Sequence, residues 1–184
     1  MTATPSVLSL SWIRYHGRSA DLADRLGASA EFVSVGRLGQ RVAVLWRYPI
    51  QLALTIRALR RHRADALIVM APPLPLVVLA LVWGRLTSRP VLIDAHSAAV
   101  ISPRTRRPRR RFALVARFAD LVLVTRPELA TSLAGCRVLA LDDPPVAVPD
   151  IAPDRARRDG LPLRVVFPCS WYDDEPVDDV IEAA

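Results

Sequence analysis

Lysine is absent from this 184-residue chain; all 25 of its basic residues are arginine, a coding bias that by itself assigns no chemistry. Cysteine is nearly absent too. Cys136 and Cys169 stand far apart, outside any CxxC or Cys/His spacing, which argues against a disulfide framework or a structural metal and leaves reduced thiols as the expectation. Aromatic residues make up only 6% of the chain, too few to supply the stacking platforms of a nucleic-acid binder. The glycines never form GxGxxG, so the usual dinucleotide fingerprint is missing. The first twelve residues carry no basic start, so no secretory signal is expected. Long hydrophobic runs are lacking as well. The best candidate, residues 64–84, is split by Pro72, Pro73 and Pro75 into runs at 67–71 and 76–83, each too short for about 30 Å of hydrocarbon.

What is present is ordinary for a folded α/β domain. An apolar content of 52% with 23% charged residues excludes disorder, and the length suffices for one domain with a real core. The net charge of +7 calls for an anionic partner, whether a nucleotide-linked substrate, lipid head groups or nucleic acid, and does not choose among them. Short apolar strands are predicted at 7–11, 31–35, 66–70, 90–94, 120–125 and 137–141, alternating with helical segments. The first helix has Ser19 as its cap, Leu22, Ala23 and Leu26 as its inner stripe, and Gly27 as its stop. In the helix at 48–62, Leu52, Ile56 and Leu59 share one face and Arg57, Arg60 and Arg61 another. Residues 76–83 read as a buried helix following a Pro-Pro loop. Six strands alternating with helices imply an α/β, Rossmann-like, doubly wound and mostly parallel sheet, with ligands at the carboxyl ends of its strands.

Two strand-end loops therefore carry the candidate chemistry. After the first strand, SWIRYHGRS places Arg14, His16, Gly17 and Arg18 ahead of a helix N-terminus, where a glycine admits close backbone approach and the helix end suits an anion. A solvated turn accounts for the same residues. After the fourth strand, VLIDAHSAA places Asp94, His96 and Ser97 at the crevice. The i, i+2 spacing turns Asp94 and His96 to one face if the strand continues through them, so Asp94 is a candidate to orient His96 or to bind a sugar hydroxyl, with a structural histidine as the alternative.

Segment 104–117 holds seven arginines (Arg104, Arg106, Arg107, Arg109, Arg110, Arg111 and Arg117) and no acid. With Phe112, Leu114, Val115 and Phe118 it suits an anionic membrane surface, or equally a solvated loop backed by a core-packing helix. No nucleic acid is expected, since only one aromatic interleaves the basic run. Residues 142–162, with five prolines, read as an interdomain linker after a first domain at 1–141. Residues 163–184 then read as the first βα unit of a second domain: an apolar strand ended by Pro168, an acidic first turn (Asp173, Asp174, Glu175), and Val177, Val180 and Ile181 at helical spacing. A lone βα unit leaves a strand face uncovered, so a longer natural product is expected.

The ordered blocks RYPIQLALTIRALRR, ALIVMAPPLPLVVLALVWGRL, PVLIDAHS, DLVLVTRPELA and VVFPCSWYDDEPVDDVIEAA resemble GT-B glycosyltransferases of the family-4-like group. Within it they look closest to the chitobiosyldiphosphodolichol beta-mannosyltransferases and their bacterial relatives. The resemblance implies an N-terminal acceptor domain, a C-terminal nucleotide-sugar domain, and hexosyl transfer between them to a lipid-linked or polysaccharide acceptor. It puts Asp94 and His96 at the reacting centre as catalytic candidates. Gly17 and Arg18, with Ser170, Asp174 and Glu175, fall on the donor diphosphate side; Arg14, His16 and Ser97 fall on the acceptor side. It implies no cofactor beyond the donor, no metal, and a place in the cytoplasm or on the cytoplasmic face of the membrane. Two departures stand out: Met70-Ala71 precedes the Pro-Pro where the group has Gln-Asn or Asn, and the later donor-domain glutamate motif is missing. On domain size, about 100 to 200 further residues are expected, and this chain alone is expected to be incomplete and inactive; the alternative is a non-catalytic membrane- or partner-binding domain, or one subunit of a split glycosyltransferase.

Overall fold

Six short apolar runs pair side by side into one parallel sheet: β1 (Val7–Ser11), β2 (Ser29–Phe32), β3 (Ala66–Ala71), β4 (Val91–Ala95), β5 (Leu121–Val124) and β6 (Val138–Ala140), in the order β2-β1-β3-β4-β5-β6. The helices between them are α1 (Gly17–Arg25), α2 (Ala43–His62), α3 (Leu74–Thr87), α4 (Ser97–Ile101), α5 (Arg106–Ala116) and α6 (Pro127–Ala130). The computed structural model describes residues 5–36, 43–101, 106–142 and 181–182. Ser170, Asp174, Glu175, Cys169 and nearly all of the expected linker and second domain lie outside them. The chain divides into two compact units, Met1–Pro145 and Val146–Ala184; in the second, Ile181 and Glu182 are helical and exposed.

Parallel strands need crossovers, and right-handed crossovers fix which side each helix takes. The step from β1 to β2 runs opposite to all later steps, so α1 covers one face while α2, α3, α5 and α6 cover the other. The strand period of two then sorts the side chains. Leu8, Leu10, Leu67, Val69, Val91, Ile93, Val122 and Val124 join Leu59, Leu76, Val77, Ala80, Phe112, Ala116 and Leu129 in the main core. Ser9, Ser11, Ile68, Met70 and Asp94, which alternate with those core positions, are buried but outside that cluster. The α1 face of the sheet is thus the polar one.

At the amino ends of the strands, the Asp65 carboxylate accepts from the Ser6 N–H at 2.8 Å and the Ser6 hydroxyl at 2.9 Å, and these bonds hold its pKa below the ordinary carboxylate value. Asp120 likewise accepts from the Val91 N–H at 2.8 Å, fixing the start of β4 against β5. Cys136 is a half-buried free thiol, pushed up in pKa by burial against the opposing charge of Arg117. Among the described residues no helix is long and apolar enough to cross a membrane, and no group of three or more His, Cys, Asp or Glu could hold a metal ion.

Strands β1 and β3 to β6 fall within one residue of their expected ends, whereas β2 starts two residues early. It is an edge strand with half-exposed or exposed side chains, so apolar patterning does not set its position. The cap of α1 is His16 rather than Ser19, because the helix begins at Gly17 and Ser19 is buried within its first turn. Leu26, expected on the inner stripe, is exposed; Ala23 is the buried apolar residue there. Helix α2 starts at Ala43 and carries Pro49 inside it. Among its described side chains, Gln51, Thr55, Ala58 and Leu59 are buried, with Leu52 and Ile56 half-buried beside them, a face rotated from the expected one.

Candidate functional site

The direction of chain winding reverses between β1 and β3, which opens a crevice at their carboxyl ends. On one side stands the loop leaving β1, and on the other Pro72 and Pro73, each following a cis peptide bond after β3. Within the β1 loop, Trp12 is buried, its Nε1–H donating to Thr55 Oγ1 at 2.8 Å and its ring 5.6 Å from that of Tyr48. Arg14 and Tyr15 are exposed, and Tyr15 lies against Phe32.

His16 caps α1. Its Nδ1 accepts the Ser19 N–H at 3.2 Å and lies 3.0 Å from Ser19 Oγ, so Nδ1 is the acceptor nitrogen and a neutral ring carries its proton on Nε2. At Gly17 an added Cβ would meet nothing within 4 Å, and the backbone is not left-handed. Open space, not backbone strain, accompanies this glycine at the helix end.

Arg18 lies on the inner side of α1 and meets Asp94, which the strand period turns toward the same face. Arg18 Nε is 3.0 Å and 3.3 Å from the two Asp94 oxygens, and Nη2 donates to the Leu141 carbonyl at 3.0 Å. The side chains are 6% and 3% exposed. Such a pair ties α1, β4 and the chain after β6 together, and its charges are matched inside the protein. Arg18, the expected phosphate ligand, is committed to this contact in the structure.

His96 follows β4 directly, its backbone N–H donating to the Ala71 carbonyl at 3.0 Å, so the tips of β3 and β4 are joined. Its ring meets His16 edge-on with centroids 4.3 Å apart. Asp94 and His96 therefore both turn toward α1, as their spacing implies, but Asp94 pairs with Arg18 and no hydrogen bond joins it to His96. His96 Nε2 is buried and has no hydrogen-bond partner among the described residues. A buried polar atom left unpaired costs about 1–3 kcal/mol, a cost that a ligand group reaching it would remove. Ser97 opens the short α4 and is exposed.

One polar row escaped the sequence reading. Arg47, Gln51 and Thr55 recur every four residues along α2 on the side facing Trp12. Gln51 donates to the Val33 carbonyl at 3.0 Å, while its Oε1 and Arg47 Nε are buried without partners among the described residues. Arg47 lies over the Tyr48 ring at 5.5 Å. The i, i+4, i+8 spacing of three polar residues on a helix otherwise rich in leucine is the signal that marks them.

The site thus joins four things at the strand ends: the first turn of α1 with its positive dipole end, the exposed Arg14, an edge-on histidine pair, and a matched ion pair behind them. No family model matches the chain, and no curated protein does. Among solved structures, it is similar to Anabaena HepE in complex with UDP and glucose (TM-score 0.47, 14% identity, covering 76% of this chain and 44% of that one). HepE in complex with UDP-glucose gives a TM-score of 0.47 at 15% identity with the same coverage. The S. aureus MnaA–UDP structure gives 0.44 at 8% identity, covering 70% of this chain and 41% of that one. The chain spans less than half the length of these proteins, and at such scores the likeness adds nothing to the reading of its side chains.

Proposed function

We propose that this chain is the acceptor-side part of a GT-B glycosyltransferase of the family-4-like group, moving a hexosyl group from a nucleoside diphosphate sugar to a hydroxyl of a lipid-linked or polysaccharide acceptor. The observation that carries the reading is the buried, unpartnered Nε2 of His96 at the carboxyl end of β4, beside the helix end capped by His16. Imidazole there suits contact with a sugar or acceptor hydroxyl, where it would take up or orient a proton. The first-turn amides of α1 and the exposed Arg14 supply positive charge for the departing diphosphate. Arg18 and Asp94 serve by holding α1 against β4. The donor is a substrate, and no further cofactor enters this reading.

The test is a transfer assay on the enzyme expressed from the whole reading frame that contains this chain, screened against nucleoside diphosphate hexoses. His96 Nε2 meets no hydrogen-bond partner among the described residues, so His96→Ala is expected to keep the fold while lowering turnover about 100-fold or more. Near-normal turnover in that variant makes His96 structural, and absence of transfer with every donor overturns the reading.

A further inference from the structure

Away from the crevice, the helical layer presents a surface that glycosyl transfer does not use. Along α3, Val78, Val82 and Leu86 recur every four residues and face outward, Leu86 being 78% exposed. The end of α5 and the turn after it add Leu114 and Phe118, the latter 63% exposed. Between them runs a groove of about 370 Å³ lined by Val78, Leu81, Val82, Leu86, Val115 and Phe118, with Arg85 as its polar neighbour among the described residues. The groove shares Leu81, Arg85 and Phe118 with an adjoining cavity of about 420 Å³, whose lining adds Ser88, Arg89 and Asp120. Asp120 is already bonded to the Val91 N–H.

Charge decides what such a face suits. Helices α3 and α5 contain no acidic residue and six arginines: Arg85, Arg106, Arg107, Arg109, Arg110 and Arg111. A second copy docking groove to groove would bring the Arg85 side chains and the exposed Arg110 and Arg111 of both copies toward one another and meet like-charge repulsion. A surface of phosphates above hydrocarbon has the opposite sign in the right place: apolar side chains enter the acyl boundary while basic ones meet head groups. Contiguous exposed apolar residues rimmed by polar ones mark an interaction surface rather than ordinary solvent exposure.

We propose that the α3/α5 face is a docking surface for an anionic phospholipid leaflet, with Val82, Leu86 and Phe118 inserted and Arg85, Arg110 and Arg111 on the phosphates. This differs from a basic tail acting alone, because the inserted residues come mostly from α3. Phe112, at 5% exposure, belongs to the core instead. The proposal does not depend on the transferase reading, and its assay needs no sugar.

The full chain would be sedimented with vesicles of phosphatidylcholine alone and of phosphatidylcholine mixed with phosphatidylglycerol. Binding is expected on the anionic vesicles and to weaken steeply with salt, since salt screens the attraction between surface arginines and anionic head groups. Arg110→Glu with Arg111→Glu is expected to weaken binding at least about tenfold. Val82→Asp and Leu86→Asp, both at exposed positions, are expected to do the same with unchanged circular dichroism. Leu54→Asp, an exposed leucine on α2 with the same charge change, is expected to retain binding. No binding to anionic vesicles, or equal loss in Leu54→Asp and Leu86→Asp, overturns the proposal. So does a wild-type dimer by light scattering that Leu86→Asp dissociates, which would make the face a self-association surface.

Discussion

Asp94 occupies a position that the strand period alone sends to the polar face of the sheet. Its neighbours Ile93 and Ala95 enter the main core, while Asp94 meets Arg18 across 76 residues of sequence. A carboxylate at a strand end is legible in the sequence; its partner is not, because nothing local to Arg18 distinguishes a buried guanidinium from a solvated one. The pairing separates two residues that the sequence leaves joined, since Asp94 holds Arg18 and no hydrogen bond joins it to His96. Asp94→Ala is expected to cost about 3–5 kcal/mol in chemical denaturation, the cost of leaving a guanidinium buried without its counter-ion. Replacing both partners, as Arg18→Met with Asp94→Leu, is expected to recover most of that loss. Equal midpoints for Asp94→Ala and the wild type would mean that Arg18 swings out to solvent and that the pair contributes nothing.

Among the elements, α3 shows how far periodicity reaches. Its residues are apolar nearly all round, so the sequence marks a helix but no face, and the expectation of a buried helix holds for Leu76, Val77, Ala80 and Leu81 only. What orients the helix is its close approach to β4 at Gly84. A Cβ there would strike the Val91 side chain and stand 2.7 Å from the Arg89 carbonyl oxygen. Gly84→Ala is therefore expected to destabilise the protein by about 1–3 kcal/mol despite alanine's better helix propensity, read as a lower denaturation midpoint. A higher midpoint would show that α3 can move outward at no cost. Helix α1 teaches the complementary lesson. Its stop at Gly27, with φ +60, is readable from residue type, but its cap is not, because histidine is an uncommon cap and a serine, a far commoner one, stands three residues on.

For the whole molecule, order in the sheet governs local stability. Strands β1, β3 and β4 have neighbours on both sides and buried side chains, whereas β2 and β6 lie at the edges with exposed ones. Hydrogen exchange on the intact chain is expected to protect β1, β3 and β4 amides at least about tenfold more than those of β2 and β6. Uniform protection across all six strands would instead mean that the edges are covered and that the sheet opens only globally.

The alternation of strands and helices, the parallel sheet and the placing of candidate chemistry after β1 and β4 were determined by the sequence itself. Each depends on residues a few positions apart, which fix period and turn. Tertiary structure alone decided that Arg18 pairs with Asp94, that His16 touches His96, that Arg47 and Gln51 turn inward, and that one row of α3 faces out beside the arginines of α5. Those outcomes depend on which distant segments the crossovers bring together, and nothing in the local pattern carries that information.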